Sequence, residues 1–433
     1  MMTRLKSGNA DGIRTGCQCG AVLIIVMWVT FGLVTVAIYL GHSMFFNYRG
    51  ASQFHAGNQA EQGIYGALRY FQYVLVNNEE AGNIPDSNNY NSQYFQIGDS
   101  TVYLIGRSSD SVMSSSEPVF GPIDEASKIN INTAPFEVLE LLPTITSEFA
   151  AAIVDWRDED DDLTENGAEA SMYALMDNSY AIKNGPFETL EELRLVYGAT
   201  TEMLYGEDIN QNGVLDPNEN DGDLSPPMDN ANGVLDFGII EYLTVYSSEP
   251  EESQNNNNDD NNNNNPGDGG NNNNNNNGGG GAARLQQQPP NNNGSNTTTN
   301  SFKVNVNTAS AVVLACIPGM NETLAEQLVA ARTGNTEPNP SMDWVRDVLE
   351  AEVLSQAEPY FTDKSYQFTL DLAAVGKNGD GARRVRFVID NLDGSALVRY
   401  RRDMSRFGWA LGESIRLQLQ NPNISPSSSS LSR

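Results

Sequence analysis

The clearest chemical pattern in this chain is a set of oxygen-bearing side chains between positions 208 and 219. The segment Asp-Ile-Asn-Gln-Asn-Gly-Val-Leu-Asp-Pro-Asn-Glu fits the twelve-residue calcium-loop template at every defined position. Gly213 permits the sharp turn of such a loop, and hard oxygen donors at this spacing favour Ca²⁺ over zinc or copper. The expected ligands are Asp208, Asn210, Asn212, the backbone carbonyl of Val214, Asp216 and both carboxylate oxygens of Glu219.

A weaker copy of the same pattern follows, in which Met228 occupies the first template position. Its candidate ligands are Asp229, Asn230, Asn232 and Asp236. These residues either form a degenerate second site or add ligands to the first loop. The acidic run at 158–162 is a further candidate, although such runs are more often a solvated surface.

No residue pattern in the chain indicates catalysis. The only histidines are His42 and His55, and neither a nucleophile–base pairing nor a phosphate-binding loop is recognisable. We therefore expect a protein that is not an enzyme.

An internal repeat predicts two helical hairpins that would carry these loops. Residues 128–143, which begin Lys-Ile-Asn-Ile-Asn-Thr-Ala-Pro, recur as residues 303–318, which begin Lys-Val-Asn-Val-Asn-Thr-Ala-Ser. In each copy a helix is predicted to begin after Thr133 or Thr308 and to stop at a proline, with a second helix following. Such pairs build small helical domains of the SAM-like or helix-hairpin-helix type.

Hairpins of this kind bind DNA in other proteins through backbone amides at the turn. Here the formal net charge is −31, and the acidic run lies at the end of the first hairpin. Repulsion of the phosphate backbone favours a structural or protein-contact role. A membrane-tethered DNA receptor is the alternative function.

The N-terminal region predicts one membrane-spanning helix. Residues 20–41 carry no charge and are long enough to cross a hydrocarbon core of about 30 Å. Because basic residues predominate before this span, the N-terminus is expected in the cytoplasm and the body outside it. Apolar residues then recur at helical spacing and predict a continuing amphipathic stem, at Ile64, Leu68, Phe71 and Leu75.

Residues 20–29 resemble the start of type IV pilin-like proteins, and most closely that of general secretion pathway protein K, a large minor pseudopilin of type II secretion. Residues 128–139, 151–160 and 183–193 match the same family. In that family a prepilin peptidase cuts after a glycine and methylates the new N-terminus. The resemblance implies processing at Gly20 and Ala21, with a cut after Gly16 as the alternative. Ile25 stands where most pilins have Glu, which is usual in the K subfamily.

This resemblance implies a protein that caps the tip of a periplasmic pseudopilus and assists its assembly for the export of folded proteins. The implied location is the inner membrane, with a single pass and a periplasmic body. The implied partners are minor pseudopilins of the I and J types, the prepilin peptidase, secreted substrates and the outer-membrane secretin, with no nucleic acid. Family members carry calcium in this region. A dockerin-like scaffold is less favoured, since only one loop is complete.

We therefore expect an α+β fold. A long N-terminal transmembrane and stem helix would pack on a pilin-like antiparallel sheet, with a large helical domain inserted between early and late strands. The expected organisation is a leader at 1–20, the transmembrane and stem helix at 21–76, the first part of the pilin-like domain at 77–125, a first helical domain with the calcium loop at 126–249, a disordered Asn/Gly-rich loop at 250–300, a second helical domain at 301–360, C-terminal strands at 361–421 and a flexible tail at 422–433.

Overall fold

The computed structural model describes residues 19–78, 80–86, 90, 93–107, 118–176, 178–250, 302–333 and 340–420. The predicted leader up to residue 18, the predicted disordered loop after residue 250 and the predicted tail lie outside the described residues.

The helices and strands are numbered in chain order. The helices are α1 (Cys19–Val76), α2 (Phe136–Leu139), α3 (Ser147–Arg157), α4 (Ala170–Ala174), α5 (Thr201–Tyr205), α6 (Ala311–Ala315), α7 (Glu322–Thr333), α8 (Val345–Val348), α9 (Ala351–Ala357) and α10 (Gly412–Gln420). The strands are β1 (Tyr94–Ile97), β2 (Ser100–Ile105), β3 (Ile123–Asp124), β4 (Ile129–Asn130), β5 (Leu243–Thr244), β6 (Val304–Asn305), β7 (Phe361–Thr362), β8 (Gln367–Val375), β9 (Arg383–Asp390) and β10 (Leu397–Asp403).

Helix α1 is a single element of 58 residues without proline, and it contains both Gly20 and Ala21 near its start. It is long and apolar enough to cross a membrane, and its most apolar window has a mean hydropathy of 2.5 with none of it buried inside the protein. The upper part of the helix packs on the sheet through Ile64, Leu68, Phe71 and Leu75, which are all at most 6% exposed. The predicted packing face of the stem is therefore confirmed.

The main sheet joins strands from both ends of the chain. Its order is β1-β2-β8-β9-β10, every pairing is antiparallel, and β3 also pairs with β8. Strand β2 lies beside β8, with Thr101 opposite Val375, so early and late segments share one sheet as predicted. The α+β fold class is confirmed: a long apolar helix, an antiparallel sheet and a helical region inserted between the strands.

The two faces of the sheet bury different elements. One face packs on α1 through alternating residues that include Leu104, Leu370 and Phe387, and each such side chain contributes about 1.5–3 kcal/mol by its burial. The opposite face is covered near one end by Leu411 and by α10, which contributes Ile415. The sequence predicted only strands between 361 and 421, because this helix is short and its apolar residues are sparse.

The helical region consists of two similar units that share one hydrophobic core. Each unit closes with a parallel two-stranded bridge, β4 with β5 in the first and β6 with β7 in the second. Arg157 at the end of α3 donates to the carbonyls of Ile131 and Ala134. In the second unit the last turn of α7 supplies the equivalent Arg332, which donates to the carbonyls of Val306 and Ala309. The duplication therefore extends well beyond the two matching segments of sequence.

The first helix of each unit begins later than predicted. Helix α2 follows Pro135 and α6 follows Ser310, rather than Thr133 and Thr308. In the first unit the residue before proline is disfavoured in the helical conformation, so the helix cannot begin there. In the second unit Ser310 Oγ accepts from Val313 N at 3.3 Å and caps the helix.

Candidate metal centre

The segment with the predicted ligands, residues 207–237, leaves the first helical unit through a narrow opening. It follows α5 and precedes the 3₁₀ helix Ile239–Tyr242, and Gly206 forms a bridge with Phe237 across its base. A Cβ on Gly206 would lie 2.2 Å from a carbonyl oxygen across the opening, and a Cβ on Gly238 would lie 2.4 Å from backbone atoms. Side chains at these two positions would therefore force the opening apart.

In the described part of the second helical unit, residues 302–333 and 340–362, no such segment occurs. Its 3₁₀ helix Glu358–Tyr360 follows α9 directly, at the position where residues 207–237 interrupt the first unit. The candidate metal centre is therefore an insertion at this position of the first unit, which also differs from the second by the longer segment with α4 between α3 and the 3₁₀ helix Leu190–Leu195.

The first loop gathers the predicted ligands around Asp216. Asp216 Oδ2 accepts from the side-chain amides of Asn210 at 2.7 Å and Asn212 at 3.1 Å, and Glu219 Oε2 accepts from Asp216 N at 3.0 Å. Asp208 Oδ1 accepts from Asn212 N at 2.9 Å. These bonds close the loop at both ends, so five of the predicted side chains belong to one compact turn.

The sixth predicted ligand is also placed in this turn. Val214 is 1% exposed, and its N–H donates to Asn212 Oδ1 at 2.8 Å. Gly213 has φ +70°, the left-handed conformation that the template requires of this glycine.

The carboxylates of this loop are electrostatically unbalanced. Glu219 is 2% exposed, and its burial, together with the negative charges of Asp208, Asp216 and Glu207, raises its pKa to about 8. Burial likewise raises the pKa values of Asp208 and Asp216. A divalent cation among these groups would stabilise their charged forms.

The chemistry of the donor set fits calcium. Among the described residues, no three His, Cys, Asp or Glu side chains are arranged to hold a metal ion by themselves. The amide oxygens of Asn210 and Asn212 and the carbonyl of Val214 would therefore have to complete the shell. Ca²⁺ accepts six to eight oxygen ligands of these kinds, whereas zinc and copper prefer nitrogen and sulfur.

The second loop is completed by residues from outside it. Gly233 N donates to Asn220 Oδ1 at 3.0 Å, and Asp236 N donates to Glu207 Oε2 at 3.0 Å. In the first loop the corresponding N–H groups are bound by the residues at template positions one and twelve. Asn220 and Glu207 therefore take these positions, where the local sequence offers Met228 and an isoleucine.

Of the residues predicted for the second site, three are brought together and one is not. Asn230 Nδ2 donates to Asp236 Oδ2 at 2.7 Å, as in the first loop, and Asn232 Oδ1 accepts from Val234 N at 2.6 Å. The carboxylate of Asp229 instead accepts from backbone N–H groups, those of Ala231 in this loop and of residues 221 and 222 in a neighbouring turn. Sequence spacing could not find Glu207 and Asn220, since neither belongs to the second repeat of the pattern.

A separate group of carboxylates lies at the end of α3. Asp155 is fully buried and Glu169 is 6% exposed, and three of their four carboxylate oxygens have no hydrogen-bond partner among the described residues. Burial and the charges of Asp160 and Asp155 raise the pKa of Asp158 to about 6. Buried carboxylates without partners need either a proton or a cation. Asp155 and Glu169 flank the acidic run at 158–162, of which residues 159–162 are exposed.

The hairpin turns of the two units adopt the same backbone conformation with different residues. Thr144 has φ +63° in the first turn, and Gly319 has φ +82° in the second. A Cβ on Gly319 would lie 2.9 Å from the Gln356 side chain. Helix α9 therefore covers the turn that would have to approach a DNA phosphate.

We expect Thr144→Gly to raise the free energy of unfolding by about 1 kcal/mol, because glycine removes the strain of a left-handed β-branched residue. The matched change Gly319→Ala should lower it, since it adds strain and a contact with Gln356. Denaturant titration of both variants beside the wild type measures the effect. A destabilised Thr144→Gly protein would contradict this account of the turn.

Calcium affinity should depend on pH through Glu219. Without the ion its pKa is about 8, so near pH 7 most molecules must release a proton to bind Ca²⁺. The apparent affinity should therefore rise between pH 6 and 8, by at most about tenfold per unit.

Without calcium, the folded chain holds a proton that the unfolded chain releases, so the contribution of Glu219 to stability falls as pH rises from about 5 to 8. Calorimetry in buffers of different ionisation enthalpy would detect the released proton, and a flat affinity profile would exclude this role.

Comparison with known proteins places the first helical unit in a family. A family model described as type II secretion system (T2SS), protein K, matches residues 127–205. This part of the chain, from β4 to α5, is therefore similar to protein K of type II secretion. The match ends with α5, immediately before the insertion at 207–237. The calcium-loop candidates therefore lie outside the matched part of the chain, whereas Asp155 and Glu169 lie inside it.

Two further comparisons concern other parts of the chain or the chain as a whole. A helix-hairpin-helix motif matches residues 299–362, which correspond to the second unit. The GspK–GspI–GspJ complex of the type 2 secretion system of enterotoxigenic Escherichia coli contains a similar chain, at 13% sequence identity and a TM-score of 0.45, over 82% of this chain and 99% of that one. No curated protein matches the sequence.

Proposed function

We propose that this chain is a minor pseudopilin that caps the tip of a periplasmic pseudopilus and assists its assembly for the export of folded proteins. The observation that carries the proposal is the protein K match at residues 127–205, in a chain that also has an N-terminal helix long enough to span a membrane. The protein would be a single-pass inner-membrane protein with its body in the periplasm.

The exposed lower part of α1 supports packing against other stems. Beyond the predicted span, the helix still presents large apolar side chains to solvent, at Met44, Phe45, Phe46, Tyr48 and Phe54. A surface of this kind needs an apolar partner, and the stem helices of I-type and J-type minor pseudopilins would supply one.

The tip position is supported by both ends of α1. Ile25 offers no carboxylate to pair with the N-terminal amine of a neighbouring subunit. At the other end, the two helical units add bulk beside the sheet that would hinder a further subunit from stacking above. Contact with secreted substrates, the secretin and the prepilin peptidase belongs to the same proposal.

Mass spectrometry of the mature N-terminus and immunogold labelling of pseudopili test this function together. We expect an N-methylated Ala21 and gold particles confined to one end of each filament. A mature chain that begins at Cys17 would move the cut to Gly16 without changing the function. An intact leader, or label along the whole filament, would overturn the proposal.

We also propose that the insertion binds Ca²⁺ at the first loop, and at the second loop once Glu207 and Asn220 complete it. The converging oxygens and the raised pKa of Glu219 support this assignment. Calcium stoichiometry of the full chain in detergent would count the sites, and Glu169→Gln would show whether the buried carboxylates at α3 hold another ion.

The helix-hairpin-helix match keeps DNA binding as a second candidate function. Against it stand the net charge of −31 and the cover that Gln356 provides over Gly319. A gel shift with duplex DNA at low salt separates the two functions. Tight, salt-sensitive binding would favour a DNA receptor.

A further inference from the structure

Three arginines of the sheet region hold the backbone of the first loop. We propose that Arg107, Arg384 and Arg386 are positioning residues for the cation site, so that ion binding in the loop and docking of the helical region on the sheet strengthen each other. This inference rests on the calcium site proposed above, and it adds a link between that site and the sheet.

The arginines converge on one peptide unit of the loop. The backbone carbonyl of Gln211 accepts from Arg107 Nη2 at 2.7 Å, from Arg386 Nη2 at 3.1 Å and from Arg384 Nη2. Arg384 Nη1 also donates to the carbonyl of Asn210 at 2.8 Å. The Gln211 carbonyl lies between two ligand positions, and at the predicted ligand Asn210 the arginine binds the carbonyl and not the side chain. The guanidinium groups therefore fix the backbone of the loop without occupying its ligand side chains.

The guanidinium groups are themselves fixed by carboxylates outside the loop. Asp371 on β8 is fully buried and accepts from Arg384 Nε at 2.8 Å and from Arg386 Nη2 at 2.7 Å. Arg107 Nε lies 2.9 Å from Glu241 Oε1, just after the insertion. The loop is therefore held against groups whose own positions are set by the sheet and by the helical unit.

The backbone of the loop has the shape that these contacts require. Gln211 has φ +55°, a left-handed conformation that costs about 1–2 kcal/mol for a residue with a side chain. Its Oε1 also accepts from Arg386 Nη1 at 3.1 Å. At Gly213 a Cβ would lie 3.3 Å from the side chain of Arg107. The arginines thus stabilise a strained turn that the calcium-loop template needs.

Thermodynamic reciprocity then links ion binding in the loop to docking of the helical region on the sheet. If the sheet contacts favour the loop shape that binds the ion, the ion must favour the sheet contacts by the same factor. Repulsion between the arginines and a cation acts in the opposite direction, but Asp371 and Glu241 offset two of the three positive charges. A charge-neutral change is therefore needed to separate positioning from repulsion.

Hydrogen–deuterium exchange of the full wild-type chain in detergent is the first test. We expect Ca²⁺ at 100 times its dissociation constant to slow exchange in 207–237, and also in β2 and β9, by up to about 100-fold. Protection confined to 207–237 would overturn the coupling and leave the calcium site intact. No protection anywhere would remove the calcium site itself.

The second test removes one ion pair without changing net charge. In the double variant Arg107→Gln with Glu241→Gln, calcium affinity should fall by about 5- to 150-fold, the usual range for coupled sites, and calcium should no longer protect β2 and β9. Arg401→Gln, on the exposed side of β10, is the control and should keep both properties. Gln211→Asn, which tolerates the left-handed conformation but cannot reach Arg386, should weaken binding less. Unchanged calcium affinity in both the Arg107→Gln/Glu241→Gln variant and the Gln211→Asn variant would contradict the proposal.

Discussion

Replacing Asp371 with Asn is expected to lower the free energy of unfolding of the sheet by about 3–5 kcal/mol. The change leaves Arg384, which is 3% exposed at its side chain, and Arg386 without their carboxylate partner. Removing one member of a buried ionic group is this costly because the remaining charges stay desolvated. Denaturant titration at neutral pH measures the loss, and the exposed Asp393→Asn should change stability by less than about 0.5 kcal/mol.

The loss of unfolding free energy in Asp371→Asn should depend on pH in a definite direction. Burial alone would raise the pKa of Asp371, but Arg384 and Arg386 outweigh burial and hold it well below the usual carboxyl range. The contribution of Asp371 to the free energy of unfolding is therefore complete above the ordinary carboxyl pKa. It is lost as pH falls towards the depressed pKa of this group in the folded chain. The difference between wild type and Asp371→Asn should shrink below about pH 4. A difference that stays constant in acid would show that the loss arises from packing.

Calcium at 100 times the dissociation constant of the first loop should stabilise the wild-type chain by about 2.7 kcal/mol through that loop, and Asp208→Ala should abolish this first-loop increment. Asp208 supplies the first ligand of the loop, and its two oxygens also accept from Asn212 N and Gly213 N. Because the variant loses these bonds even without the ion, the informative quantity is the difference between thermal midpoints with calcium and with chelator.

The matched control for that experiment is Asp223→Ala, which removes an exposed carboxylate from the same insertion. It should keep the full response to calcium. If chelator leaves the midpoint of the wild-type chain unchanged, the metal assignment fails. If Asp223→Ala loses the response as well, the effect reflects the general acidity of the segment.

The elements with strong periodicity could be predicted from the sequence. Ile64 and Phe71 mark the packed side of the stem because helical spacing places them on one face, and alternation revealed the strands that pair at Thr101 and Val375. The first candidate loop is also predictable from the sequence, since all of its proposed ligands lie within twelve residues of each other.

The features that escaped sequence analysis depend on contacts between distant residues. Glu207 and Asn220 complete the second loop from positions that its spacing does not include. Arg107 and Arg384 meet at Gln211 only because β2 and β9 flank β8 in the sheet. No local pattern marks an arginine that binds a carbonyl far along the chain.

Because both ends of residues 207–237 meet at the narrow opening between Gly206 and Gly238, the segment could be moved to another position as one piece. The first helical unit carries this segment, and between α9 and the 3₁₀ helix Glu358–Tyr360 of the second unit it is absent. The matching position lies between Ala357 and Glu358. Grafting the segment there with a glycine at each end would place ion-binding loops on the second unit, away from the arginines that hold the native ones.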